Sequence, residues 1–235
     1  MIGFGYILIF AVFAIFSMIV SGTLKSKFRK YSKIPLNYGM SGKDVAEKML
    51  HDNGIFDVQV VPTQGTLSDH YNPATKTVAL SHDVYYGQSV SAGAVAAHEC
   101  GHAVQHAHAY APLKLRSALV PLQNVSATIL NIIFTMMFFG LFYFGTSSGF
   151  GSLALLIIVA AYGVFTLVAF VTLPVEINAS QRALAWLSSS GITNYNNHSQ
   201  AKDALKWAAY TYVVAALSSL AMLVYFLLRF LGSRN

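Results

Sequence analysis

Long uncharged stretches rich in apolar residues divide this chain into segments. No Asp, Glu, Lys or Arg occurs in residues 1–24, 117–175 or 207–228. Because a helix needs about 20 apolar residues to cross a bilayer core, the first and last stretches each predict one membrane span. The middle stretch is long enough for two spans, and a Gly- and Ser-rich cluster at 145–151 predicts the turn between them. The pattern therefore indicates about four membrane-spanning helices, the middle pair at roughly 120–144 and 152–174.

The positions of the basic residues predict how the spans are oriented. The first apolar stretch has no basic residue before it and no small-residue cleavage site after it, so we expect an uncleaved anchor. Five cations follow it closely: Lys25, Lys27, Arg29, Lys30 and Lys33. Since Lys and Arg concentrate on the cytoplasmic side, residues 25–117 and 175–206 are expected in the cytoplasm, with 145–151 outside. Arg229 and Arg234 depart from this rule, because they would lie outside.

The composition agrees with a membrane protein. Only 10% of the 235 residues are charged and 55% are hydrophobic, whereas soluble domains have about 25% charged residues. The net charge of +6 is explained by Lys and Arg beside anionic lipid, so the lipid bilayer is an expected partner and nucleic acid is not. The single cysteine excludes an internal disulfide and is typical of a reducing compartment.

The polar segment after the first span predicts a small α+β domain. A capping signal at Ser41 opens a helix that carries an apolar stripe, and Asn53-Gly54 ends it. Short apolar runs at 58–61 and 77–80, separated by turn residues, predict strands. A second helix is expected from Ser89 or Ser91 to about His106, ending before a proline. The predicted fold class is a mainly α membrane protein with this small α+β domain.

The second helix contains the sequence HECGH, in which His98 and His102 are four residues apart. Both imidazoles therefore project from one face of the helix about a turn apart and can supply two corners of a tetrahedral zinc site. Zinc lowers the pKa of a bound water towards about 7. Glu99 is placed to take the proton of that water and later protonate the leaving amine of a peptide. Small residues around the two histidines are expected where such a helix packs closely.

A zinc site of this kind needs a third protein ligand, and three residues are candidates. His106 is about 12 Å along the helix axis from His98, too far to share one ion. His108 has the spacing of another zinc-protease pattern, but that pattern requires a glycine where this chain has Gln105. Glu176 leaves the third span on the same side as the histidine helix, in the first turn of a new helix that Pro174 is suited to start. The topology favours Glu176, with His108 as the alternative, and implies one zinc per chain.

The predicted organisation has five parts. They are an anchor at 1–24, a cytoplasmic zinc-binding domain at 25–117, a transmembrane hairpin at 118–174, a cytoplasmic helix and loop at 175–206, and a last membrane helix at 207–235.

Several motifs resemble a known family, the YugP-like neutral zinc metallopeptidases of bacteria. They are LSDHY at 67–71, VAAHE at 95–99, GHAVQH at 101–106, YAPL at 110–113, Arg116-Ser117 and LPVEINASQRAL at 173–184. The chain is more distantly similar to the HtpX and CAAX-prenyl membrane proteases, which are gluzincins. That resemblance implies a gluzincin-like zinc peptidase domain in which a downstream helix supplies a Glu ligand, here Glu176. It also implies a bacterial plasma-membrane protein with its active site facing the cytoplasm.

The resemblance suggests further site residues. The distant relatives carry Asp where this chain has Ser180, so the partner of a histidine ligand is expected elsewhere, with Asn178 suggested. Similarity also suggests that 77–81 is an edge strand that pairs with an extended substrate, so that Val78, Ala79 and Leu80 would contact that substrate. The alternative is an ordinary half-buried strand. Arg182 would steady an oxyanion or a carboxylate, unless it forms a structural ion pair. His198 would approach the oxyanion, unless it is simply solvated.

Three functions compete at this point. The leading hypothesis is a zinc endopeptidase that acts at the cytoplasmic membrane face on membrane-associated or unfolded proteins, with a membrane protein partner also considered. A metal transporter would place the histidine motif inside a span, but here the motif precedes the second span. A zinc-binding scaffold without peptidase activity would not need Glu99 and would close the fourth position on the metal.

Overall fold

The computed structural model describes residues 4–139 and 149–233. The chain divides into two compact units. The first comprises Met1–Met18, Leu115–Leu173 and Tyr212–Asn235, and the second comprises Ile19–Lys114 and Pro174–Thr211.

Helices make up most of the described chain. They are α1 (Phe4–Tyr31), α2 (Gly42–Asp52), α3 (His82–Tyr85), α4 (Val90–Ala107), α5 (Ala111–Phe138), α6 (Gly149–Ser189) and α7 (His198–Gly232), with a short 3₁₀ helix at Asn37–Gly39. Within the described residues, α1, α5, α6 and α7 are long and apolar enough to cross a membrane. The expectation of four such helices is confirmed. Of the predicted turn at 145–151, residues 149–151 begin α6 and the rest lies outside the described residues.

The helices extend beyond the uncharged stretches. The predicted boundaries at 24/25, 117/118, 174/175 and 206/207 all fall inside helices. The predicted boundaries were drawn where charged residues begin, which is where we expect the surroundings to change from lipid to water. The backbone hydrogen bonds of a helix continue across such a point. In particular, Pro174 lies inside α6, so the prediction that a new helix starts there is wrong. Glu176 belongs to the same 41-residue helix, because a membrane helix tolerates an internal proline.

Apolar side chains of the four long helices form the core of the first unit. Leu130 of α5, Ile158 of α6 and Phe226 of α7 are buried in one cluster. The ring of Tyr162 stacks on that of Phe226 with centroids 5.3 Å apart. Tyr6 of α1 packs against the same ring. Interlocking aromatic and aliphatic side chains therefore form the core of the first unit.

Three short strands form the sheet of the second unit. They are β1 (Gln59–Thr63), β2 (His70–Asn72) and β3 (Thr77–Ser81), in the order β1-β3-β2. Strand β3 pairs in parallel with β1 and antiparallel with β2. The two predicted strands are confirmed, and β2 was missed because three residues carry too little periodicity.

The position of β3 corrects the prediction of a substrate-pairing edge strand. It is the central strand, and Ala79 pairs with Val61 on one side and with His70 on the other. Val78 and Leu80 are fully buried and Ala79 is 6% exposed. Because Val78 and Ala79 pair with strands on both sides, β3 is not the free edge strand that the predicted pairing with a substrate requires.

Helix α2 begins as its sequence predicts. The Ser41 hydroxyl accepts a hydrogen bond from the N–H of Asp44 at 3.2 Å, and the Asp44 carboxylate accepts one from the N–H of Ser41 at 2.8 Å. The predicted apolar stripe is buried in the core of the second unit, and α2 packs against α4, where the thiol of Cys100 contacts the carbonyl of Ala46. This packing fixes the back of the helix that carries the histidines.

Candidate metal centre

Helix α4 carries both histidines and is almost entirely buried. Ser89 caps the start of α4, because its hydroxyl accepts a hydrogen bond from the N–H of Ala92 at 3.3 Å. Ser89 is one of the two starting positions that the sequence predicts. The sequence of α4 is rich in Ala and Gly, and these small residues let neighbouring elements approach closely. A Cβ on Gly101 would lie 2.6 Å from the carbonyl oxygen of Ala179 in α6. The absence of a side chain at Gly101 therefore allows α4 to touch the backbone of α6.

This close approach brings His98 and His102 against Glu176. The Nε2 atoms of His98 and His102 lie 3.3 Å and 3.5 Å from Oε2 of Glu176. The two imidazole rings meet edge to face, with centroids 4.8 Å apart. Within residues 4–139 and 149–233, this is the one group of three or more His, Cys, Asp or Glu side chains whose candidate ligand atoms all lie within 4.8 Å of one another.

The three atoms fit a zinc ion. Zinc bonds of about 2.0–2.2 Å in a tetrahedral site place neighbouring ligand atoms about 3.3–3.6 Å apart, which matches the two nitrogen–oxygen distances. Two imidazole nitrogens and a carboxylate oxygen also form the ligand set of many catalytic zinc sites, which keep a fourth position open. The side chains of His98 and His102 are 12% and 11% exposed, so the site is largely shielded from solvent but not closed.

The other ring nitrogen of each histidine also has a partner. Nδ1 of His98 lies 3.1 Å from Oγ of Ser180, and Nδ1 of His102 lies 3.1 Å from Oε1 of Gln105. Since the Gln105 oxygen only accepts, Nδ1 of His102 carries a proton, which leaves Nε2 as the nitrogen that can bind a metal. Because Ser180 replaces an Asp, the partner of a histidine ligand was expected elsewhere; the Ser180 hydroxyl itself contacts His98, so this expectation is wrong.

Gln105 links the histidine helix to α6. It is fully buried, and its Nε2 donates to the carbonyl of Val175 at 2.8 Å and to Oδ1 of Asn178 at 3.0 Å. The same Oδ1 accepts from Nε of Arg182 at 2.8 Å. Asn178 thus supports His102 through Gln105 rather than directly. Arg182 donates a hydrogen bond to the uncharged amide of Asn178. This contact is neither an ion pair nor a contact with an oxyanion.

Glu99 lies beside the group without joining it. Its side chain is buried at 8% exposure, and it does not belong to the converging set of ligand atoms. Burial alone lowers the pKa of His102, but contact with Glu176 and the negative charges of Glu99 and Glu176 outweigh it and raise that pKa. The charge of Glu99 therefore acts on His102, although Glu99 is not one of the converging ligands.

The remaining histidine candidates lie outside the group. Nδ1 of His106 is 2.8 Å from the hydroxyl of Tyr71, and His108 is exposed at the end of α4. Nδ1 of His198, at the start of α7, is 2.9 Å from Oγ1 of Thr193. None of the three belongs to the converging set. The role of Gln105 was missed, because the residue was noted only for standing where the pattern with His108 requires a glycine. Its place three residues after His102 puts it on the same helix face.

Comparison with known proteins agrees with this geometry. A family model described as "Putative neutral zinc metallopeptidase" matches residues 6–231. The chain is also 41% identical over 212 residues to a protein of Bacillus subtilis (strain 168) named "Putative membrane protease YugP", covering 90% of each sequence. No solved structure gives a significant match.

Proposed function

The chain belongs to the neutral zinc metallopeptidase family whose model it matches, and from that premise we propose that it is a zinc-dependent endopeptidase of the cell membrane. One observation carries the proposal: two histidine nitrogens from α4 converge on one carboxylate oxygen of α6, with distances of 3.3 Å and 3.5 Å. Family membership indicates zinc, and this ligand set is suited to one ion per chain in a gluzincin-type site.

His98, His102 and Glu176 would hold the metal in the proposed site. When bound, zinc acidifies a water molecule and polarises the carbonyl of a peptide bond. Ser180 and Gln105 orient the two imidazoles, because each contacts the Nδ1 atom that faces away from Glu176. The chain thus arranges its ligands before the metal arrives, which limits the reorganisation needed on binding.

Glu99 is the proposed general base. It takes a proton from the attacking water and gives that proton to the amine nitrogen as the peptide C–N bond breaks. Its position next to His98 in the chain, outside the ligand set, supports a role in proton transfer rather than in holding the metal. The substrate class is protein or peptide.

The proposed location is the cytoplasmic face of the plasma membrane. Four membrane-length helices and the concentration of Lys and Arg in residues 25–33 and 175–206 support this orientation. The proposed substrates are accordingly membrane-associated or unfolded proteins, which present extended peptide bonds near that face.

A comparison of wild type with Glu99→Gln tests the proposal. Both proteins are purified as full chains in neutral detergent, and zinc content and cleavage of an unfolded protein are measured on the same samples. We expect equal zinc content and at least a hundredfold loss of cleavage in Glu99→Gln, since a general base contributes about 10²–10⁴-fold. Glu47→Gln, at an exposed acidic position of α2, serves as the control and should keep full activity.

Three results would contradict the proposal. Equal cleavage by wild type and Glu99→Gln would exclude Glu99 as the base. Stoichiometric zinc with no cleavage of any unfolded substrate by wild type would favour a zinc-binding scaffold, and zinc flux into vesicles that contain the protein would favour a transporter.

A further inference from the structure

A basic cleft lies in the second unit, apart from the metal ligands. It has a volume of about 910 Å³, and neither the three candidate ligands nor Glu99 lines it. Its wall is built from the end of α1 and the following turn, from Thr66-Leu67, and from the segment between α3 and α4. A cleft of this size is within the range of about 300–1,000 Å³ that small-ligand sites occupy.

Three cations line one side of this basic cleft: Lys25, Arg29 and Lys33. Lys25 and Arg29 are four residues apart in α1, so their side chains lie on one face of the helix, and Lys33 lies two residues past the end of the helix. Like charges at this spacing destabilise a helix by a few tenths of a kcal/mol. Their alignment along one wall therefore does not itself stabilise the fold.

The three cations are not neutralised by nearby acids. In the part of the chain that the structure describes, no carboxylate oxygen lies within 4 Å of their side-chain nitrogens. The one acid that lines the cleft, Asp83, lies 3.8 Å from Nδ1 of His82. Lys27, between them on α1, behaves differently and forms an ion pair with Asp203 at 2.7 Å. The cleft therefore carries a net positive charge that a ligand can balance.

The rest of the lining suits a phosphate ester. Arginine binds phosphate through two parallel N–H···O bonds, and lysines add point charges. The hydroxyl of Thr66 supplies a further donor, while Phe28 and Leu67 give an apolar surface beside it. A ligand that combines a negative phosphate with an apolar body matches this arrangement of charged, polar and apolar groups.

The place of Lys25 in the sequence identifies the source of that phosphate. It is the first charged residue after the 24 uncharged residues of the first apolar stretch, which puts it at the level of lipid headgroups once that stretch spans a bilayer. We propose that the basic cleft binds the phosphate headgroup of an anionic phospholipid. This site is independent of the proposed peptidase activity.

Native mass spectrometry of the full chain in neutral detergent tests the proposal. The probes are a short-chain phosphatidylglycerol, the matching zwitterionic phosphatidylcholine, and inorganic phosphate. The variant Arg29→Gln/Lys33→Gln removes two cleft cations, and Lys30→Gln/Lys202→Gln removes two exposed cations that do not line the cleft. The thermal unfolding temperature of each protein in the same detergent reports that the fold is intact.

We expect wild type to bind phosphatidylglycerol at least tenfold more tightly than phosphatidylcholine. Arg29→Gln/Lys33→Gln should weaken binding at least tenfold, the control pair less than twofold, and Arg29→Lys by an intermediate amount because it keeps the charge but loses the second hydrogen bond. Equal losses in the two double variants would indicate general surface charge and overturn the proposal. Saturation by inorganic phosphate alone, with no gain from the lipid, would overturn the assignment to a headgroup.

Discussion

The side-chain oxygen of Gln105 contacts Nδ1 of His102 at 3.1 Å. The same amide donates to the backbone of α6, at Val175. One buried side chain thus orients a candidate ligand and joins the two helices that supply all three ligands.

Replacement of Gln105 should weaken zinc binding. Gln105→Leu removes the partner of His102 and leaves the Nδ1–H group buried without an acceptor, so we expect about 10–100-fold lower zinc affinity. Competition with a chelating dye measures this affinity. Gln181→Leu, at an exposed position of α6, should leave it unchanged. Equal affinities for wild type and Gln105→Leu would show that the amide does not support the site.

Removal of the Ser180 hydroxyl should have a related effect on His98. Ser180→Ala deletes the contact at 3.1 Å from Nδ1, so the ring is free to rotate and zinc affinity should fall about tenfold. The same dye competition applies, with Ser188→Ala, an exposed position of the same helix, for comparison. If Ser188→Ala lowered zinc affinity as much as Ser180→Ala, the cause would be a change in the helix rather than the lost contact with the His98 ring.

A methyl group at Gly101 should separate α4 from α6. The new Cβ of Gly101→Ala would lie 2.6 Å from the Ala179 carbonyl oxygen, and backbone cannot yield as a flexible side chain does. We expect a loss of about 1–3 kcal/mol in stability together with reduced zinc content. Gly163→Ala is matched, because its Cβ meets nothing within 4 Å, and should be neutral or stabilising by up to about 1 kcal/mol. Thermal unfolding in detergent distinguishes the two.

Metal removal should destabilise the protein only where the ligands are intact. Zinc that binds the folded state stabilises it by about 4 kcal/mol at a thousandfold excess over Kd. A chelator should therefore lower the unfolding temperature of wild type and of Glu99→Gln alike. Glu176→Gln, which lacks the carboxylate, should start lower and respond little. If a chelator lowered the unfolding temperature of Glu176→Gln as much as that of wild type, the third ligand would be a residue other than Glu176.

Because of the Ser41 cap, the free energy of unfolding should depend on pH in acid solution. Hydrogen bonds from the Ser41 hydroxyl and N–H hold the pKa of Asp44 below its ordinary value of 3.8. Because this pKa is lower in the folded state, the stabilisation is complete above pH 3.8 and is lost as pH falls through the folded-state pKa. Ser41→Ala should cost about 1 kcal/mol near neutral pH, and its difference from wild type should narrow in acid. Ser41→Thr keeps a hydroxyl and should retain most of the cap.

Local patterns in the sequence predict much of this arrangement. The start of α4 at Ser89, the capping box of α2 and the four long apolar helices all follow from residues close in sequence. His98 and His102 share a face because four residues make about one helical turn. The choice of Glu176 over His106 followed from distance along a helix and from counting spans, neither of which needs tertiary structure.

Other features depend on contacts that local patterns do not encode. The central position of β3 is set by its pairing with β2, a strand of three residues, so the sequence alone did not distinguish centre from edge. The continuation of α6 through Pro174 opposes the local preference of proline. Gln105 is important because of groups on α6, about 70 residues away in the chain.

The separation of the ligands along the chain has a consequence for biosynthesis. His98 and His102 are translated long before Glu176, and Gln105 cannot find Val175 or Asn178 until that part of α6 exists. Because chains emerge from the ribosome N-terminus first, the nascent polypeptide carries an incomplete ligand set through most of its translation. Chemistry that needs all three ligands can therefore begin only after the chain has been made as far as Glu176, so the proposed peptidase would be inactive during most of its own synthesis.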